Sequence, residues 1–137
     1  MKVDVYNCKQ ACALVPVEGT VVISISYPED DADLQEGWEA VLRLRFHEAS
    51  RRCDILAKDP VVFHEGMAKR VDDFVQTHKN KDFVVHCHGG QRRSVAIAMY
   101  LKDAFGAEVE AHAAGVGVLL TAKQSQEAYR LLMVPYN

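Results

Sequence analysis

The sequence predicts an α/β domain with a central, largely parallel sheet flanked by helices. Three observations predict it. Short runs with strand character stand at 20–26, 40–46 and 82–87, the first of them rich in β-branched residues. A stretch with helical periodicity separates the second run from the third. An apolar segment of helical length follows the third. Strands alternating with helices build parallel sheets, because parallel neighbours need a crossover between them.

Each element has its own signal. "TVVISIS" at 20–26 is short and β-branched, which suits a buried strand. The acidic stretch 28–37, "PEDDADLQEG", suits a solvated loop or a short helix. "AVLRLRF" at 40–46 alternates apolar and basic residues over its second half, as a strand does. Within 62–80, Phe63, Met67, Val71, Phe74 and Val75 recur at helical spacing and predict an amphipathic helix. "DFVVHC" at 82–87 is a third strand with Phe83, Val84 and Val85 as its apolar body. Residues 94–104 are apolar nearly all round and predict a central buried helix, whereas 113–119 fits no single element. A last helix is predicted over 121–135, ending around Pro135.

The 137 residues, 49% hydrophobic and 26% charged, suit one globular domain spanning 1–137 that needs no staples. A formal net charge of −3 gives no support for nucleic-acid binding. No apolar run is long enough for a membrane span, and the first ten residues lack the apolar core of a secretory signal, so cytoplasmic residence is expected. Cys8 and Cys12 have the wrong spacing for a C-x-x-C motif and are expected to be free thiols.

Chemistry concentrates between Cys87 and Ser94, where the third strand turns into the buried helix. In parallel sheets, sites lie at the carboxyl ends of strands. Gly89 and Gly90 permit tight turns in which successive N–H groups face an anion. The following helix adds its positive dipole end, and Arg93 can clamp two phosphoryl oxygens. A thiol at a helix N-terminus or beside cations has a pKa of roughly 3.5–7.5, which makes it a nucleophile near neutral pH. The natural chemistry is attack on phosphorus and hydrolysis of the resulting cysteinyl-phosphate. No cofactor or metal is required, because loop amides and Arg93 meet the charge of the transition state.

Residues 86–94, "HCHGGQRRS", match the pattern H-C-x-x-G-x-x-R-S at every fixed position: His86, Cys87, Gly90, Arg93 and Ser94. In this the chain resembles the cysteine-dependent protein tyrosine and dual-specificity phosphatases, and particularly their compact bacterial and phage-type members. The resemblance covers residues from about Thr20 to the final helix, and the loop carries nearly all its specificity. It implies a protein tyrosine phosphatase-like fold of the dual-specificity type, with Cys87 as nucleophile and Arg93 as the phosphate and transition-state ligand. Ser94 would hydrogen-bond the departing thiolate. His86 would hold the loop and help keep the cysteine ionised. Backbone amides of His88, Gly89, Gly90, Gln91, Arg92 and Arg93 would line the phosphate pocket, which phosphate or sulfate could also fill. His88 and Arg92 depart from the small or acidic residues common there and make the rim more basic.

The leaving oxygen needs a proton donor. In the resembled family this is an aspartate just after the strand that precedes the long helix. Strand position favours Glu48, in "FHE"; spacing to the cysteine favours Asp54, the runner-up; Asp59 is a third choice. A strand end fixes a side chain better than a count across a variable loop, so Glu48 is preferred.

The implied substrate is a phosphorylated protein, phosphotyrosine before phosphoserine or phosphothreonine, or another phosphomonoester. Two alternatives stay open: a catalytically impaired phospho-binding pseudophosphatase, and rhodanese-like sulfur transfer on a similar loop. Ser94 argues against the second. His47, Cys53, His64, His86, Cys87 and His88 fit no zinc spacing, so no metal is expected. His78 and His112 are expected at the surface, Trp38 and Tyr100 in or near the core, and Arg51 and Arg52 as a solvated basic pair near the acid.

Overall fold

The computed structural model describes residues 1–48, 60–113 and 126–136. In chain order these form β1 (Lys2–Asn7), α1 (Cys8–Ala13), β2 (Thr20–Ser26), β3 (Val41–Arg45), α2 (Glu65–Thr77), β4 (Asp82–Cys87), α3 (Arg93–Phe105), β5 (Glu108–Ala111) and α4 (Gln126–Met133), then a 3-10 turn at Val134–Tyr136. The fold is α/β. Its five described strands lie in the order β3-β2-β4-β1-β5, and every pairing is parallel.

The three predicted strands are present, and two more flank β4 on its far side. β1 shows only a brief alternation in the sequence, Val3 and Val5 between polar neighbours, yet both valines are fully buried. β5 is a four-residue edge strand with no buried position and carries almost no apolar signal. The 28–37 stretch forms no helix; Asp30 turns back to donate its N–H to the Tyr27 carbonyl (3.1 Å). Residues 114–125, which include most of the unassigned 113–119 stretch and the start of the predicted last helix, lie outside the described residues.

β4 is the axis of the sheet. Flanked by β2 and β1, it buries every residue from Phe83 to Cys87, as its unbroken apolar run requires. α3 packs on β4, β1 and β5 and against α4, burying everything from Arg93 to Leu101. It ends at Gly106, whose φ of 71° is the left-handed conformation that lets a helix close its last carbonyls. The amphipathic stretch 62–80 is helical over Glu65–Thr77, trimmed at the front where the His64 side chain accepts the Gly66 N–H (3.1 Å). Asp72 of α2 accepts hydrogen bonds from Tyr100 of α3 (2.7 Å) and from Tyr136 of the final turn (2.6 Å), tying three elements together.

His112 is more engaged than a bare surface histidine. Its ring stacks on Tyr6 at 4.4 Å, and Nε2 lies 2.8 Å from an Asp4 carboxylate oxygen. His78 and Trp38 are half-buried, and Tyr100 is fully buried. Among the described residues, no helix is long and apolar enough to cross a membrane.

Candidate active site

The carboxyl ends of β4 and β1 lie side by side, with Cys87 in register with Asn7. From there the chain leaves β4 through 88–92 and enters α3 at Arg93. Two contacts with the β1–α1 junction hold this turn. The N–H of Cys8 donates to the His88 carbonyl (3.1 Å). Gly90, at φ +66°, lies so close to β1 that an added Cβ would stand 2.8 Å from Tyr6 and Asn7 backbone atoms. Gly89 is different, since a Cβ there would meet nothing within 4 Å. Of the two glycines, only Gly90 is demanded by the fold.

The loop closes around the thiol. Gly90 N–H donates to Cys87 Sγ at 3.2 Å, and Ser94 Oγ lies 3.1 Å from the same sulfur. Cys87, Arg93 and Ser94 are each at most 3% exposed. Cys87, Gly89, Gln91, Arg92 and Arg93 line a cleft of about 270 Å³, and Glu48 joins them from the end of β3. His88 faces elsewhere: with Cys8, Tyr27 and Asp30 it lines a neighbouring hollow. Asp54 and Asp59, the other two acid candidates, lie outside the described residues, as do Arg51, Arg52 and Cys53.

Arg93 is held from two sides. Its Nη1 donates to the Phe46 carbonyl at 2.7 Å, and its guanidinium carbon sits 4.4 Å over the Tyr27 ring. Delocalised guanidinium charge stacks well on an aromatic face, and five N–H donors leave others for an anion. Sequence reasoning passed over Tyr27; the available signal was its place one residue beyond a predicted strand, at the end where sites lie.

His86 is fully buried, with Nε2 2.6 Å from Ser24 Oγ on β2. Burial is the main cause that pushes its pKa down to about 4; the Cys87 backbone opposes this, and nearby Arg43 and Arg93 add to it. The ring is therefore neutral at physiological pH and offers Cys87 no positive charge. What it does offer is a fixed strand end, through Ser24.

Cys8 and Cys12 are free thiols with their sulfurs 3.9 Å apart. Burial, then Cys12, pushes the Cys8 pKa up to about 11.

No protein-family model and no curated protein sequence matches the chain. Among solved structures, the chain is similar to the human tyrosine phosphatase-like serine/threonine/tyrosine-interacting protein. Identity is 16% and the TM-score is 0.41; the alignment covers 83% of this chain and 62% of that one. The chain thus spans less than two thirds of that structure's length.

Proposed function

We propose that the chain is a cysteine-dependent phosphatase that hydrolyses phosphomonoesters through a cysteinyl-phosphate. One observation carries the reading: Cys87, Arg93 and Glu48 line one cleft, and the Cys87 sulfur faces both the Gly90 N–H and the Ser94 hydroxyl. A thiol, a guanidinium and a carboxyl group meeting over backbone amides are the groups this chemistry needs.

In the first step the Cys87 thiolate attacks phosphorus and the ester P–O bond breaks. Glu48, protonated, gives its proton to the departing oxygen. Arg93 and the N–H groups of the loop hold the three non-bridging oxygens as charge spreads over them. In the second step water attacks the cysteinyl-phosphate while the Glu48 carboxylate takes its proton. The S–P bond breaks, and the Ser94 hydroxyl donates to the thiolate as it leaves. Free phosphate departs with the enzyme restored.

The family resemblance of the 86–94 loop extends the reading to phosphorylated protein side chains, phosphotyrosine first. A mechanism built on a free thiol favours a reducing compartment, and the cytoplasm is the location proposed with it.

The test is hydrolysis of an aryl phosphate by wild type and Cys87→Ser, with vanadate binding followed in both. Wild-type turnover that Cys87→Ser loses by about 10³-fold or more, with vanadate binding retained, supports the mechanism. Turnover retained by Cys87→Ser overturns it. A wild type that binds vanadate but hydrolyses nothing is a phospho-binding module instead, and preference for thiosulfate makes it a sulfurtransferase.

A further inference from the structure

We infer that His47 is a positioning residue for the proton-transfer step, holding Glu48 in the cleft through a two-way clamp onto Val61. The inference rests on the phosphatase reading and adds a residue to it.

His47 stands between two residues that serve the cleft. The carbonyl of Phe46, on one side, anchors Arg93; Glu48, on the other, lines the cleft wall. β3 ends at Arg45, and the Phe46 N–H still donates to Ser26 of β2 (3.1 Å). At His47 the partner changes. Its N–H donates to the Val61 carbonyl at 2.6 Å, and the Val61 N–H donates back to His47 Nδ1 at 3.0 Å. One residue's backbone and side chain thus take both main-chain groups of the other. Phe46 packs edge-on against Phe63 at 5.1 Å, which pins the same two segments beside the clamp.

The chemistry of the clamp is specific. Only an acceptor at the δ position of residue 47 can take the Val61 N–H, and Nδ1 is that acceptor. His47 is 7% exposed, and water replaces a lost partner poorly at such a site. Glu48 follows immediately in the chain, so its backbone direction is set by the clamp. A general acid contributes about 10²–10⁴-fold when it sits within hydrogen-bond reach, and a displacement of about 1 Å can cost about 10²-fold.

Two substitutions separate positioning from bulk. Asparagine places its Oδ1 where Nδ1 stands and keeps an acceptor for Val61, whereas glutamine places its amide near Nε2 and does not. His47→Gln is expected to lower kcat on phenyl phosphate, a poor leaving group, about 10- to 100-fold with KM changed less than about 2-fold. On 4-nitrophenyl phosphate, whose leaving group hardly needs protonation, the loss should stay below about 3-fold. His47→Asn should recover wild-type kcat to within about 3-fold on both esters. In a Glu48→Gln background, His47→Gln should add less than about 2-fold, because the group it positions is already disabled.

Equal loss on both esters, equal behaviour of the Asn and Gln variants, or an undiminished effect without Glu48 overturns the inference. A wild type whose turnover survives Cys87→Ser overturns the phosphatase reading instead, so the two failures are distinguishable.

Discussion

Ser24 and His86 face each other across β2 and β4 as a register pair, and their side chains meet at 2.6 Å inside the sheet. The contact sits one residue before Cys87, so it fixes the strand end from which the loop lining the cleft departs. Ser24 is 1% exposed and His86 is fully buried, which leaves water no route to replace either partner.

That burial makes stability depend on pH through His86. Its pKa is lowered from 6.5 to about 4, so between these values the unfolded chain binds a proton that the folded chain refuses. The folded state is therefore fully favoured above the unfolded value and loses stability as pH falls towards about 4. The limiting loss is on the order of 3 kcal/mol. Urea unfolding of wild type and His86→Gln at pH 7 and pH 4.5 measures it. Wild type should lose about 2–3 kcal/mol more than the variant across that interval. Equal losses would mean that His86 is protonated inside the fold.

The two glycines of the loop should respond in opposite ways. Gly90→Ala meets both a positive φ and backbone at 2.8 Å, so β1 or the loop must shift. A cost of about 2–4 kcal/mol is expected in thermal unfolding, together with loss of vanadate binding. Gly89→Ala meets open space and should stay within about 1 kcal/mol of wild type with binding intact. Similar effects at the two positions would mean that the loop does not lean on β1 as described.

Tyr27 should matter through its ring. With the Arg93 guanidinium carbon 4.4 Å from its centroid, the ring restrains the group proposed to bind the transition state. Tyr27→Leu should lower kcat/KM for an aryl phosphate about 3- to 30-fold, matching a cation–π contact of about 0.5–2 kcal/mol. Tyr27→Phe keeps the ring and should retain most of the rate. A Phe variant as slow as the Leu variant would assign the effect to the hydroxyl.

Much of this architecture was legible in one dimension. β-branched runs marked β2 and β4, helical spacing marked α2, and "HCHGGQRRS" between a strand and an apolar helix marked the loop that lines the cleft. Strand position pointed to Glu48, which lines the cleft with Cys87, while Asp54, favoured by residue counting, lies outside the described residues. These features are local: a periodicity or a motif is complete within a few consecutive residues. β1 and β5 escaped because β1 offers only two buried valines within six residues and β5 none. They are strands because β4 and then β1 present open edges to them, and no window of sequence contains that edge.

What tertiary structure alone decided are relations between distant residues. It separated Gly90 from Gly89 by bringing the backbone of β1 against one of them. It paired Ser24 with His86 across 62 positions, and desolvation at that point lowers the histidine's pKa. It also laid Tyr27 under Arg93 and clamped His47 to Val61. Residue types can announce that a thiol, a guanidinium and a carboxyl group are available. Whether they face one cleft depends on strand order, register and burial, which exist only once the sheet has closed.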